Sequence, residues 1–279
     1  MPENDFRDRR QLAPTPFACF RTNGYRMVGR DGGVFDFGSA KYFGSAANVG
    51  PDVSNVVGLA SDGTGGYWLA ESNGGVIPVG GAPHIGSLAC YGCHYHLAAP
   101  IVGIASTPNG GGYWMVAKDG GVFAFGDAGF YGSMGGKHLN APIVGIAATP
   151  NGKGYWLVAS DGGVFAFGDA GFYGSMGGKP LNRPVVGIAS TANGHGYWLV
   201  ASDGGIFAFG SAQFHGSLPG LPASEQPGLP VVAIAADGAG GYWEATSGGD
   251  IYSFGDAPFY GSTGNIHLNR PIVGMAATS

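Results

Sequence analysis

One phrase, written six times, governs how this chain can fold. Gly-Tyr-Trp recurs at Trp68, Trp114, Trp156, Trp198 and Trp243, at intervals of 46, 42, 42 and 45 residues, each time opening a stretch such as GYWLVASDGGVFAFGDAGFYGS. A sixth, degenerate copy reads GYRMVGRDGGVFDFGSAKYFGS from Gly24. A period of this length is what four short strands occupy in one propeller blade, and such units are stable only when neighbours bury one another's faces. The expected fold is therefore all-β, a six-bladed propeller of four-stranded blades. Residues 24–279 form this single domain, and residues 1–23 form a polar N-terminal extension and lead-in.

Composition agrees with tight turns and short strands. Glycine supplies 56 of 279 residues and charged residues only 11%, against roughly 25% in ordinary soluble domains. The net charge of −5 argues against a surface that tracks nucleic-acid phosphates, which needs clustered Lys and Arg. No apolar run reaches the roughly 18–20 residues that span a bilayer. The opening MPENDFRDRRQ lacks an apolar signal core, which leaves a cytoplasmic protein, a removed leader or a subunit of a larger surface assembly open.

The fourth repeat reads most clearly as strands. PIVGIAATPNG is an apolar run suited to an innermost strand buried on both faces. GYWLVAS follows and ends at Asp161-Gly162-Gly163, which supplies the positive φ of a tight hairpin. In VFAFG, Phe165 and Phe167 share one face by period-2 alternation. FYGS is expected as a fourth, edge strand. Inner strands begin near Asn55, Pro100, Pro142, Pro184, Pro230 and Pro271, one unit out of step with the Gly-Tyr phrases. Residues 271–278 are thus expected to complete the blade begun at Gly24 and close the ring, removing free sheet edges. TPFACF, before Gly24, competes for that place and would leave an open or seven-unit ring.

The GYWLVASDGGVFAFGDAGFYGS phrase resembles a tandem repeat of many secreted or surface-associated bacterial proteins, and the resemblance covers residues 24–279. It implies a propeller used for display or recognition, extracellular or at the cell surface, with no agreed activity. SDGGVFAF is also similar to the Asp-box turn of sialidase-like propellers but lacks that motif's full spacing, so no sialidase chemistry is carried over.

Catalytic propellers usually place carboxylates, His or Arg on the inner strands, whereas NVVGLAS, PIVGIAS, PIVGIAAT, PVVGIAS, PVVAIAA and PIVGMAAT carry no ionisable side chain. Acid–base pairs would have to come from loops, and near-identical blades offer no unique constellation. A non-enzyme is expected. The β-hairpins and the connections between blades should share one face. That face would carry Asp119, Asp161 and Asp203 from the hairpins, with Lys137, His138, Asn140, Lys179, Asn182, Arg183, His267, Asn269 and Arg270 from the connections. Such groups suit sugar hydroxyls or a partner protein, with avidity from equivalent sites; the competing reading is that Asp-Gly-Gly is turn chemistry. The tryptophans and the pairs Phe123 and Phe125, Phe165 and Phe167, and Phe207 and Phe209 are expected between sheets rather than as sugar platforms. Asp127, Asp169 and Asp256 could meet calcium, but each lacks neighbouring carboxylates for a cation that takes six or more oxygens.

The connection LACYGCHYHLAAP breaks the repeat. Cys90, Cys93 and His94 form C-x-x-C-H, the spacing of c-type haem attachment, with His96 two residues on. The alternatives are a Cys90–Cys93 disulfide, a bridge to Cys19, or a zinc site from Cys90, Cys93, a histidine and Cys19. A recognition or structural module binding carbohydrate (a glycan) or an extracellular protein is the first reading, and a haem c electron-transfer or metal-binding propeller the alternative.

Overall fold

The structure is a computed structural model that describes residues 24–46, 53–89 and 97–278. Cys19, TPFACF, Cys90, Cys93, His94 and His96 lie outside those residues, and so does the expected extension at 1–23.

Among the described residues, eighteen strands form six antiparallel sheets of three strands each. Sheet one joins β1 (Gly24–Gly29) and β2 (Val34–Gly38) to β18 (Ile272–Thr278), in the order β18-β1-β2. Sheet two is β3 (Val56–Ser61), β4 (Tyr67–Glu71) and β5 (Val76–Val79). Sheet three is β6 (Ile101–Ser106), β7 (Gly112–Ala117) and β8 (Val122–Gly126). Sheet four is β9 (Ile143–Ala148), β10 (Gly154–Ala159) and β11 (Val164–Gly168). Sheet five is β12 (Val185–Ser190), β13 (Gly196–Ala201) and β14 (Ile206–Gly210). Sheet six is β15 (Val231–Ala236), β16 (Tyr242–Thr246) and β17 (Ile251–Phe254).

The chain's last strand therefore pairs with its first described strand, Met27 opposite Met275 and Gly24 opposite Thr278. None of the sheets closes on itself. Each first strand instead lies against those of two neighbouring sheets, in the order β18, β3, β6, β9, β12, β15 and back to β18. Six apolar clusters fill the spaces between consecutive sheets, and one of them packs Tyr25 and Met27 of sheet one on Trp243 and Ile251 of sheet six.

Two expectations are corrected. The blades are not four-stranded, because FYGS and its equivalents form no strand. At Tyr131-Gly132 the backbone groups that a fourth strand would put into a ladder are taken by the next sheet. The Tyr155 hydroxyl donates to the Gly132 carbonyl at 2.6 Å and accepts from the Tyr131 amide at 3.2 Å. Gly132 also sits at φ 131°, outside the strand region, with the Phe167 ring filling the space where a Cβ would stand. The innermost strand is likewise not buried on both faces. The second strand is, as in the unbroken burial of β10, whereas β9 is only half-buried because one face lines an axial cavity.

The tryptophans pack between sheets, each at most 2% exposed, and the Phe pairs pack beside them. Each indole N–H donates to a carbonyl fifteen residues on, as Trp156 does to Gly171 at 2.7 Å, so the polar handle of a buried ring is satisfied.

Candidate ligand-binding faces

Strand direction decides which loops meet. In sheet four, β9, β10 and β11 alternate in direction, so the 160–163 hairpin lies at the end where β9 begins and the connections run. Backbone bonds stitch them: Ser160 N to Pro142 O at 2.9 Å, Val185 N to Ser160 O at 2.9 Å and Met176 N to Gly162 O at 2.9 Å. The hairpins and connections form one face, and the turns after the first and third strands form the other.

On the hairpin face, the aspartates first serve their own turns. Asp119, Asp161 and Asp203 accept from Gly121, Gly163 and Gly205 amides at 2.9, 2.9 and 3.1 Å. Each leaves a second carboxylate oxygen. His138 and Asn140 of one connection converge with Asp161 of the next hairpin in a hollow of about 180 Å³ floored by Phe165. Arg183, Asp203, Gln226 and Leu229 line the corresponding hollow one sheet further, of about 470 Å³, enlarged by the longer 217–230 connection. Lys137, Lys179, Asn182, His267, Asn269 and Arg270 are exposed on their connections and line none of these hollows.

On the opposite face, Asp169 is held by Asn151 Nδ2 at 2.6 Å and Thr149 Oγ1 at 3.4 Å, and Asp127 by Asn109 and Thr107 in the same way. These two carboxylates brace turns. Asp256 lines a hollow of about 360 Å³ with His215, Asn193 and Trp198. The axial cavity, about 530 Å³, opens here and is walled by Ala, Ile, Ser and Thr side chains of all six sheets. Among the described residues no three His, Cys, Asp or Glu side chains gather in metal-binding geometry.

The sequence reading missed two features. Tyr42, Phe130, Phe172, Phe214 and Phe259 stand exposed at the position expected to enter an edge strand, in every repeat but the second, which has His84 there. Their even spacing within FYGS-like segments was the available signal. Three charged residues also occupy core positions. Arg26 replaces a tryptophan and Asp36 the alanine paired with it, their Nε and Oδ1 atoms 2.6 Å apart. Glu244 replaces the leucine seen at Leu157 and Leu199; it is fully buried, neither oxygen has a hydrogen-bond partner, and burial pushes its carboxyl up to about 9.

No family model matches the chain, and no curated protein matches it. Among solved structures, the β-propeller domain of Cps50 (Swd1) from Myceliophteria thermophila matches with a TM-score of 0.53. The match covers 86% of this chain and 83% of that one at 12% identity. The likeness is one of fold. This chain has an all-β, propeller-like repeat fold of blade-like sheets.

Proposed function

We propose that the protein is a non-enzymatic recognition module whose hairpin face binds a glycan or a partner protein. The observation that carries this reading is the convergence of His138 and Asn140 with Asp161, repeated in kind by Arg183 and Asp203 one sheet on. Each hollow offers a carboxylate oxygen, further hydrogen-bonding groups and an apolar floor, the mixture that polar ligands need. Repetition on one face favours a ligand that is itself repetitive, such as a polysaccharide, through avidity.

The same reading takes the six sheets as one ring, with β18 as its closing strand; the β18–β1 pairing and the packing of sheet six on sheet one support it. Membership in the secreted bacterial repeat family and display outside the cell rest on the resemblance of the repeated phrase. A haem c or zinc centre at Cys90, Cys93, His94 and His96 rests on sequence spacing, and an absorption spectrum with metal analysis decides it.

The test of the hairpin face is binding of the chain to an array of bacterial polysaccharides and, separately, to candidate surface proteins. Asp161→Ala with Asn140→Ala is expected to lower the response by roughly tenfold. Binding that is unchanged by these substitutions places recognition elsewhere.

A further inference from the structure

The repeat supplies its own controls, because a departure in one sheet can be compared with five sister positions. Departures gather around one hollow between sheets one and two, on the face opposite the hairpins. In the five sister sheets a tryptophan donates its indole N–H to the carbonyl fifteen residues on. Arg26 makes the equivalent bond, Nη2 to Lys41 O at 3.1 Å. The structural role of the indole is thus preserved while a guanidinium replaces it, held by Asp36 and lying 4.7 Å over the Tyr67 ring. Position 41 also departs, being Lys where the sisters have Pro83, Gly129, Gly171, Gln213 and Pro258.

The hollow itself has a local cause. Between sheets four and five, Tyr173 reaches across to donate to Gly194 O at 3.2 Å. Here that tyrosine is Phe43, without a hydroxyl, and the facing turn Asp62-Gly63-Thr64-Gly65 is one residue shorter than its counterpart at 191–195. A space of about 260 Å³ remains, lined by Arg26, Lys41, Phe43, Ser61, Thr64 and Thr278 among others. Thr278 is 6% exposed and its Oγ1 has no hydrogen-bond partner among the described residues. Its counterpart Thr149 bonds to Asn151 and the Gly154 carbonyl. A buried hydroxyl left unpaired beside a hollow costs about 1–3 kcal/mol unless something enters to satisfy it.

We propose that this hollow binds one residue of an acidic sugar, independently of the hairpin face. Phe43, 43% exposed, offers a ring on which a pyranose stacks. Ser61, Thr64 and Thr278 meet its hydroxyls, and the exposed Lys41 ammonium meets its carboxylate, a charge-assisted pairing stronger than a neutral one, with the Asp36-paired Arg26 guanidinium presenting its remaining N–H groups beside it. Among the described residues no Asp or Glu side chain lines the hollow itself; Asp36 and Asp62 stand behind it, bonded to Arg26 and Thr64. At about 260 Å³ the space lies below the roughly 300 Å³ at which drug-sized sites begin, so it takes a single sugar unit, such as the end of an acidic chain.

The test is an NMR titration of the full chain with D-glucuronate, against D-glucose and acetate. Glucuronate should bind, glucose and acetate each at least roughly tenfold more weakly. Lys41→Ala should weaken glucuronate, and the double variant Arg26→Trp with Asp36→Ala, which restores the Trp–Ala pair of sister sheets, should abolish it. That pair is native to sheets three, four and five, so the variant is expected to fold, and its melting curve checks this. Asp161→Ala should leave glucuronate binding unchanged. Equal binding of glucose or acetate, no binding of glucuronate at millimolar concentration, or full binding by the folded double variant overturns the proposal.

Discussion

Glu244 shows most sharply how a single residue can strain this repeat. It stands in β16 opposite Ile234 and Tyr252, where sister sheets have Leu or Met, and no described residue hydrogen-bonds to its carboxyl. Loss of hydration raises its carboxyl to about 9, and Asp203 adds repulsion. A folded-state pKa above the unfolded value means that stability is fully present below about pH 4.5 and is lost as pH climbs toward about 9. We expect the urea midpoint of the native chain to fall between pH 5 and pH 9. Glu244→Leu should flatten that slope and raise stability near neutrality by about 1–3 kcal/mol. A slope identical in the variant would assign the pH response to other groups. Arg26 carries the opposite lesson: a charge in the same kind of core position is tolerated because Asp36, the Lys41 carbonyl and the Tyr67 ring receive it. Neither residue's environment was legible in the sequence, because the repeat marks the positions as core but does not say what faces them.

At the level of the element, the hairpins were readable and the edge segments were not. Asp161-Gly162-Gly163 announces a turn needing positive φ, and Gly162 adopts φ 76° with its missing Cβ only 2.5 Å from Met176 Cβ. Gly162→Ala should therefore cost at least about 1–2 kcal/mol for the left-handed backbone alone, measured by chemical denaturation; a neutral result would show that the 160–163 hairpin can rearrange. The alternation in VFAFG likewise foretold β11, with Phe165 and Phe167 on one face; the structure adds the register, Phe165 opposite Leu157 and Phe167 opposite Tyr155. FYGS has equal strand propensity, yet the Tyr155 hydroxyl claims its backbone. That bond joins different sheets, so no local pattern reports it. The consequence for the surface is large, since Phe130 and its equivalents turn outward instead of entering a sheet. For the hairpin face, turn aspartates and connections were identifiable as neighbours from strand order. Only the structure separates Asn140, which lines one hollow with Asp161, from Lys137 and Lys179, which do not.

For the whole molecule, the hollow beside Phe43 depends on one topological event. β18 must return across the whole repeat to pair with β1, bringing Thr278 beside Gly24 and within the wall that also holds Arg26. Without it, sheet one loses a strand, sheet six loses part of the surface it packs on, and the hollow beside Phe43 loses its unpaired hydroxyl. The inner strands made this pairing legible in the sequence, because residues 271–278 repeat the inner-strand pattern one unit out of step with the Gly-Tyr phrases.

The decisive measurement is hydrogen exchange across β18 in the full chain. If β18 completes sheet one and locks the six sheets into a single cooperative body, the Gly274 and Ala276 amides, which face β1 in the alternating ladder, will be protected to the same free energy as the bonded amides of β10 in sheet four. Exchange of β18 near the rate of an open chain, with β10 still protected, would contradict the account.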